Sequence, residues 1–319
     1  MKMNSSYLIS LMMISMSTIM SMMTNNWLFM WILMEINLFM FMPMMSKKKM
    51  NDQSIKYFII QSFSSHLLVF SILMSSISLT PHKTSILILT SLLMKIGMSP
   101  FHFWLPEIMK NLKWKECFML STLIKITPMI FVNKMCSLNL MIIPMIMSMI
   151  TGTMAGFNQF NLKKLMAYSS IFNLTWMTIS FLTSKKLTLM FMVIYSLITY
   201  KIMKFFMKKN ILYLNQLNHL NLKEKITMNL NMLSLMGLPP MMGFIPKWLI
   251  LKEMIVKSNV LSTFMILTSL MSMFMYMQMN SFSFTNFSIK KKNIKKNKFK
   301  SLSIINLIFM PMIMMIMIN

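Results

Sequence analysis

The sequence predicts an all-α polytopic membrane protein of about eleven transmembrane helices, two of them discontinuous. Three observations carry that reading. Of 319 residues 56% are hydrophobic, and apolar runs of spanning length follow one another along the chain. The net charge is +26, yet most lysines cluster in short loops between those runs, the positive-inside pattern and not a nucleic-acid patch. Two of the runs are interrupted by Gly and Pro beside a lysine, the pattern of paired broken helices that marks ion sites in transporters.

Taken in order, spans are expected at about 5–23, 27–45, 55–79, 85–108, 117–133, 139–156, 165–183, 187–207, 227–256, 259–281 and 301–318. Met1 to Met23 lacks a small-residue cleavage site and reads as a first span, not a signal sequence. Turn signals at Asn25-Asn26, Ser46 to Asp52, Thr80-Pro81-His82 and Asn158 to Asn161 separate the early segments. The polar stretch Lys208 to Lys225 is expected to hold an interfacial helix, and Phe282 to Lys300 ends in a basic loop.

The fourth span breaks at Gly97-Met98-Ser99-Pro100 and the ninth at Gly237-Leu238-Pro239-Pro240. Proline removes an amide donor and its ring clashes with the preceding turn. The carbonyls so freed survive at membrane depth only beside protein or a water-filled cavity. The breaks are five spans apart. The whole chain, 1–319, is therefore read as one transmembrane domain: repeat one at about 5–133, repeat two at about 139–281, and a final helix at 301–318. Five is odd, so the repeats have inverted topology.

Loop charge sets the orientation. Lys2, Lys47 to Lys49, Lys110, Lys113, Lys115, Lys163, Lys164, Lys208, Lys209, Lys223, Lys225 and the seven lysines from Lys290 to Lys300 fall on the amino-terminal side. Lys83, Lys134, Lys185, Lys186 and Lys257 fall on the other, twenty against five. The basic run is expected beside anionic lipid.

Residue usage is skewed: 50 Met, no Arg, and only Ala155 and Ala167 for alanine. Met, Ile, Lys, Phe and Asn are residues of AT-rich codons, and a Met excess is what a code reading ATA as Met produces; that points to an animal mitochondrial genome. Flexible Met substitutes for Leu in packing, so a metal-binding Met box is not inferred. Cys117 and Cys136 have no C-x-x-C spacing, and no nucleotide, zinc, iron–sulfur or haem motif is present. Any redox centre of a parent enzyme lies in other chains.

Four charged residues fall near mid-depth: Glu35, Lys95, Lys125 and Lys247. At ~1.5 Å per residue they lie ~12–15 Å from an interface. Each costs roughly 2.5–3.5 kcal/mol on insertion scales. Burial opposes the charged state, which is the condition for groups that exchange protons near neutral pH. The rival reading is structural pairing, such as Glu35 with Lys95; four charges at one level, two beside helix breaks, weigh against inert pairs alone. Pro128 frees the carbonyl of Ile124 one turn from Lys125. His102, after the first break, is a further relay candidate, with packing its competing role. Lys201 and Lys204 can snorkel. Lys252 and Glu253 are expected to pair locally, and Glu107 to lie in a loop.

The stretches Met34-Glu35-Ile36-Asn37-Leu38, Ile55-Lys56-Tyr57-Phe58 with Gln61, Lys95 through Pro106, Lys125 with Pro128, Asn158-Gln159 with Leu162 through Ile171, and Gly237 through Trp248 occur in this order. Together they resemble the subunit 2 family of mitochondrial NADH–ubiquinone oxidoreductase, respiratory complex I. Only about the last sixty residues lack a distinctive motif. The resemblance implies an antiporter-like fold and a proton-translocating subunit of the membrane arm. It maps the family's key glutamate onto Glu35 and its lysines onto Lys95, Lys125 and Lys247. It implies enzymatic activity only as part of NADH:ubiquinone reductase. FMN, iron–sulfur clusters, NADH and ubiquinone would then be bound elsewhere in the complex, with no cofactor or metal in this chain. Implied partners are other membrane-arm subunits, including NADH dehydrogenase subunits 4 and 4L, accessory subunits, and phospholipid, cardiolipin among it. The implied location is the mitochondrial inner membrane, multi-pass, which with the charge count puts the amino terminus in the matrix and the carboxyl terminus in the intermembrane space. Animal members of the family have eleven helices. Departures are Ile124 for a common glutamine, Asn173 for a frequent histidine and Lys163 for an arginine; the first two make a proton path rely more on water. Two rival functions remain: a stand-alone or multisubunit cation/proton antiporter, and a structural scaffold with inert ion pairs.

Overall fold

In hydrocarbon a segment can satisfy its own amides only as a helix, and the described residues are helical apart from short turns and breaks. The computed structural model describes residues 5–45, 51–77, 81–239 and 241–284. The expected final helix 301–318, the run Lys290 to Lys300, Lys2, Lys47 to Lys49 and Pro240 lie outside the described residues. Seven expected spans appear as single helices within a few residues of their predicted ends: α1 (Ser5–Met23), α2 (Trp27–Met45) and α3 (Asn51–Ile77), then α8 (Leu138–Phe157), α9 (Leu162–Thr183), α10 (Lys185–Lys209) and α13 (Asn259–Phe284). Both predicted interruptions are present. The fourth span is α4 (Pro81–Ile96) and α5 (Trp104–Asn111); the ninth is α11 (Leu222–Met236) and α12 (Phe244–Lys257). Among the described residues, eight helical segments are long and apolar enough to cross a membrane, and neither the fourth nor the ninth span is among them.

A third interruption was not expected. The fifth span divides into α6 (Trp114–Ser121) and α7 (Leu123–Met135) at Thr122, with φ −123° and ψ −83°. No glycine or proline marks the place. The Thr122 hydroxyl donates to the Phe118 carbonyl at 2.7 Å, the back-bonding by which threonine competes with the ladder and bends helices. Three smaller expectations also change. Lys208 to Lys225 holds a 3₁₀ helix, Leu214–His219, after Asn210 ends α10 in the left-handed conformation (φ 52°). Glu107 lies in the first turn of α5, not in a loop, where the helix dipole favours a carboxylate. Lys252 and Glu253 form no ion pair among the described residues, because adjacent helical residues point apart.

Buried apolar side chains form two separate cores, one toward each end of the helices. The first gathers Leu38, Tyr57, Leu120, Ile171, Ile198 and Met236; the second gathers Met34, Leu68, Met129, Phe172, Tyr195 and Ile250. Along α2, α9 and α10 one core gives way to the other within a single turn, and there the polar side chains are buried: Asn37 on α2, and Ser169, Ser170 and Asn173 on α9. The seam thus brings several buried polar side chains together at the level where the two cores meet.

The helix ends meet in two groups. Lys163 donates to the Lys110 carbonyl at 3.4 Å, Lys209 pairs with Glu224, and Asn161 bridges to Tyr213. At the other end Lys134 donates to the Thr24 carbonyl and Lys257 to that of Leu182 at 3.1 Å. The lysines assigned by charge to one side thus anchor loops of one end.

Candidate functional site

The two broken spans end their first halves with the same cap. Gly97 and Gly237 adopt φ +78° and +80°, a left-handed conformation that costs glycine no steric penalty. The amides of Gly97 and Met98 donate to the Leu93 carbonyl at 2.9 and 3.1 Å, and those of Gly237 and Leu238 to Leu233 at 3.2 and 3.4 Å. A proline follows each cap (Pro100, Pro239), and in both the chain re-enters a helix seven residues after the glycine, at Trp104 and Phe244. The remaining C-terminal carbonyls need donors, and the two breaks solve this differently.

At the first break neutral side chains supply them. The Gln61 amide donates to the Lys95 carbonyl at 3.3 Å, and the Trp104 indole to that of Met94 at 3.2 Å. The Lys95 ammonium is left free for Glu35, and its Nζ stands 3.1 Å from Glu35 Oε1. The lysine side chain is 3% exposed and the glutamate 17%, so the pair is buried with its carboxylate toward the outside. A cation in the last turn of α4 also meets the negative end of that helix.

At the second break the lysine itself does the work. Lys247, in the first turn of α12, reaches back across the gap and donates to the carbonyls of Leu235 and Met236 at 3.1 and 3.0 Å. Its ammonium lies 5.5 and 5.7 Å from the ring centroids of Phe172 and Trp176, the range in which ring quadrupoles attract a cation. Gly243 is required here because a Cβ would run into the Ser234 carbonyl.

Lys125 sits between these two. It is buried in the first turn of α7, just past the unexpected interruption, and donates to Ser170 Oγ on α9 at 3.2 Å. Helix α9 separates it from Lys247: within two turns it carries Ser170 toward Lys125, and Phe172 and Trp176 toward Lys247. Asn173, on the same stretch, lines a cavity of about 20 Å³ with Tyr195, Ser234 and Lys247 among mostly apolar neighbours such as Phe191, Ile194 and Ile198, a volume that can hold about one water. The Tyr276 hydroxyl of α13 lies beside Ser169 and Asn173. The elements form a packed series, with α2 and α4 against α7, α7 against α9, and α9 against α12.

One polar chain was missed because the Ser, Thr and Asn of the spans are too numerous to rank in the sequence. Asn37, two residues from Glu35, donates to Thr127 Oγ1 at 3.1 Å and accepts from Ser17; Thr127 in turn donates to the Ile124 carbonyl freed by Pro128, at 3.5 Å. The available signal was Asn37 within Met34-Glu35-Ile36-Asn37-Leu38. His102 is buried in the first break, where its Nδ1 meets Ser99 Oγ at 3.3 Å and Ser99 meets Thr151 of α8 at 2.6 Å. It has no hydrogen bond to the four charged groups among the described residues. Those residues hold no cluster of three metal-ligating side chains.

Comparison with known proteins places this arrangement in context. Residues 24–273 match the family described as NADH:quinone oxidoreductase/Mrp antiporter, TM. The chain is 35% identical to NADH-ubiquinone oxidoreductase chain 2 of Anopheles gambiae, covering 85% of this chain and 84% of that one. It is 37% identical to the protein of the same name from Locusta migratoria, covering 87% and 85%. Among solved structures, a chain of respiratory complex I from Thermus thermophilus with bound aureothin superposes with TM-score 0.83 at 17% identity, over 97% of this chain and 78% of that one. That last likeness concerns the fold.

Proposed function

Because the chain belongs to the NADH:quinone oxidoreductase/Mrp antiporter transmembrane family, and within it to the animal NADH-ubiquinone oxidoreductase chain 2 proteins, we propose that it is a proton-translocating, antiporter-like subunit of the membrane arm of NADH–ubiquinone oxidoreductase. Redox chemistry in other subunits drives it, and this chain carries no redox cofactor. The observation that carries the reading is the series Glu35–Lys95, Lys125–Ser170 and Lys247 on successively packed helices at the seam between two apolar cores. Transfer of one proton from Lys95 to Glu35 discharges both members of a buried pair at once, and separating the pair while charged leaves two desolvated ions. A driven opening of this contact therefore has a direct electrostatic consequence for Lys125. Ser170, Asn173 and a water in the cavity beside Lys247 offer the next donors and acceptors, so the path relies on water where Asn173 stands.

The matching glycine caps support inverted five-helix repeats, with the segment 301–318 as an eleventh span. The lysine-rich ends support an amino terminus in the matrix of the mitochondrion and a carboxyl terminus in the intermembrane space. Neighbouring membrane-arm subunits, subunits 4 and 4L among them, cover parts of the outer surface.

On a native gel of inner membrane stained for NADH oxidation, the chain is expected in the large NADH-oxidising assembly. In that assembly Lys95→Met removes most of the proton pumping owed to this subunit; an unchanged proton-to-electron stoichiometry refutes the role of Lys95. The Mrp part of the family description favours one second reading, a cation/proton antiporter without redox drive. Sodium- or potassium-dependent pH changes without NADH would establish it.

A further inference from the structure

Helix α3 presents to the outside a stripe of Ile59, Phe63, His66, Phe70, Leu73 and Ile77, all exposed. The spacing is 4-3-4-3-4, the seam pattern of a helix that packs along another. In lipid an apolar stripe needs no partner, and most of this one would be at ease against acyl chains. His66 would not. It lies ten residues from Lys56 and eleven from Ile77, on the order of 15 Å from either end of the span. It makes no hydrogen bond among the described residues. Ionisable groups at this depth face protein or water, not lipid. The buried faces of α3 pack on α2, α4 and α5, so none of these covers it.

We propose that this stripe is an interface for one transmembrane helix of a neighbouring subunit, which places a hydrogen-bonding side chain (carboxyl, amide or hydroxyl) opposite His66. A single polar residue at a seam position sets the register of two helices, and His66 is suited to that role. Beside the stripe, Ile59 and Phe63 form one wall of an apolar groove of about 360 Å³ whose far wall is Phe103 and Trp104 of the first break. Phe63 is three residues from His66, ~4.5 Å along the axis, so the same helix would also fill the groove with a bulky apolar side chain. An acyl chain could fill the groove but offers the imidazole nothing. The chain's own 301–318 segment has Ile, Phe, Met and Pro through its middle and no polar side chain there.

The inference rests on the assembly proposed above, and the native gel tests that assembly separately. In the assembled complex, a photoreactive benzophenone side chain is placed in turn at Phe63, His66 and Phe70. Mass spectrometry is expected to find adducts with one helix of one neighbouring subunit, stepping about one turn along it from probe to probe. Adducts confined to phospholipid, or to residues 301–318 of this chain, overturn the proposal. If the probe variants do not assemble, His66→Gln and His66→Leu decide. Leu is expected to lower the assembled fraction about three- to tenfold relative to Gln, the range for one interhelical hydrogen bond in a membrane; equal behaviour of the two overturns it.

Discussion

Replacing Glu35 and Lys95 singly and together separates what the ion pair does for the fold from what it does for protons. Glu35→Gln leaves the Lys95 ammonium buried, 3% exposed, with its counter-charge gone. Removing one partner of a buried pair costs about 3–5 kcal/mol, which is on the order of a hundredfold or more in a folding equilibrium. Lys95→Met leaves the Glu35 carboxylate at mid-depth without its counter-charge, at a cost in the same range. The double variant Glu35→Gln/Lys95→Met leaves no orphaned charge and restores stability to within about 1–2 kcal/mol, since buried pairs contribute little net. The assay is the fraction of chain retained in the native assembly after graded heating, read beside the protons translocated per electron. All three variants are expected to lose pumping, while only the singles lose stability. Normal stoichiometry in a stable double variant would refute the functional argument, and a double as unstable as Glu35→Gln would refute the electrostatic one.

The other predictions concern the second break, the middle lysine and one surface pair. Lys247→Met deprives the Leu235 and Met236 carbonyls of a charged donor; at about 1.5–3 kcal/mol per bond to a charged group, hydrogen exchange through 233–246 should speed by tenfold or more. Gly237→Ala forces a Cβ into φ +80° and within 3.0 Å of the Lys247 chain. A loss of about 1–2 kcal/mol is expected, together with reduced pumping; wild-type values for both would mean that the cap is not required. Ser170→Ala strips Lys125 of its hydroxyl partner and should lower pumping more than Ser170→Thr, measured as proton-to-electron ratio at equal assembly. Lys209→Met, which breaks the partly exposed pair with Glu224, should change thermal retention by less than about 1 kcal/mol.

Much of this architecture is legible in the residues because the membrane permits few solutions. Runs of about twenty apolar residues must be helices, and Gly-Pro interruptions must break them, so α4 to α5 and α11 to α12 could be placed from the sequence with a lysine beside each gap. Glu35, Lys95, Lys125 and Lys247 stood out because a charge in an apolar run is costly wherever its partner lies. The Thr122 interruption could not be read, because its cause is a hydroxyl-to-carbonyl bond that any helical threonine can make and most do not use for a break. Nor could Ser17, Asn37 and Thr127 be separated from dozens of similar side chains.

What the sequence by itself determined is therefore the local and the one-dimensional: which segments form apolar helices, where Gly and Pro break two of them, and which charges fall within apolar runs. The tertiary structure decided the pairings. It gave Lys95 to Glu35, Lys125 to Ser170, and Lys247 to the orphaned carbonyls across its own gap, and it turned His66 outward while its neighbours Ser64 and Ser65 turned in. Helical periodicity fixes which residues share a face, but which face meets which neighbour depends on how non-adjacent helices pack, and contacts between residues sixty or ninety positions apart leave no local trace in the chain.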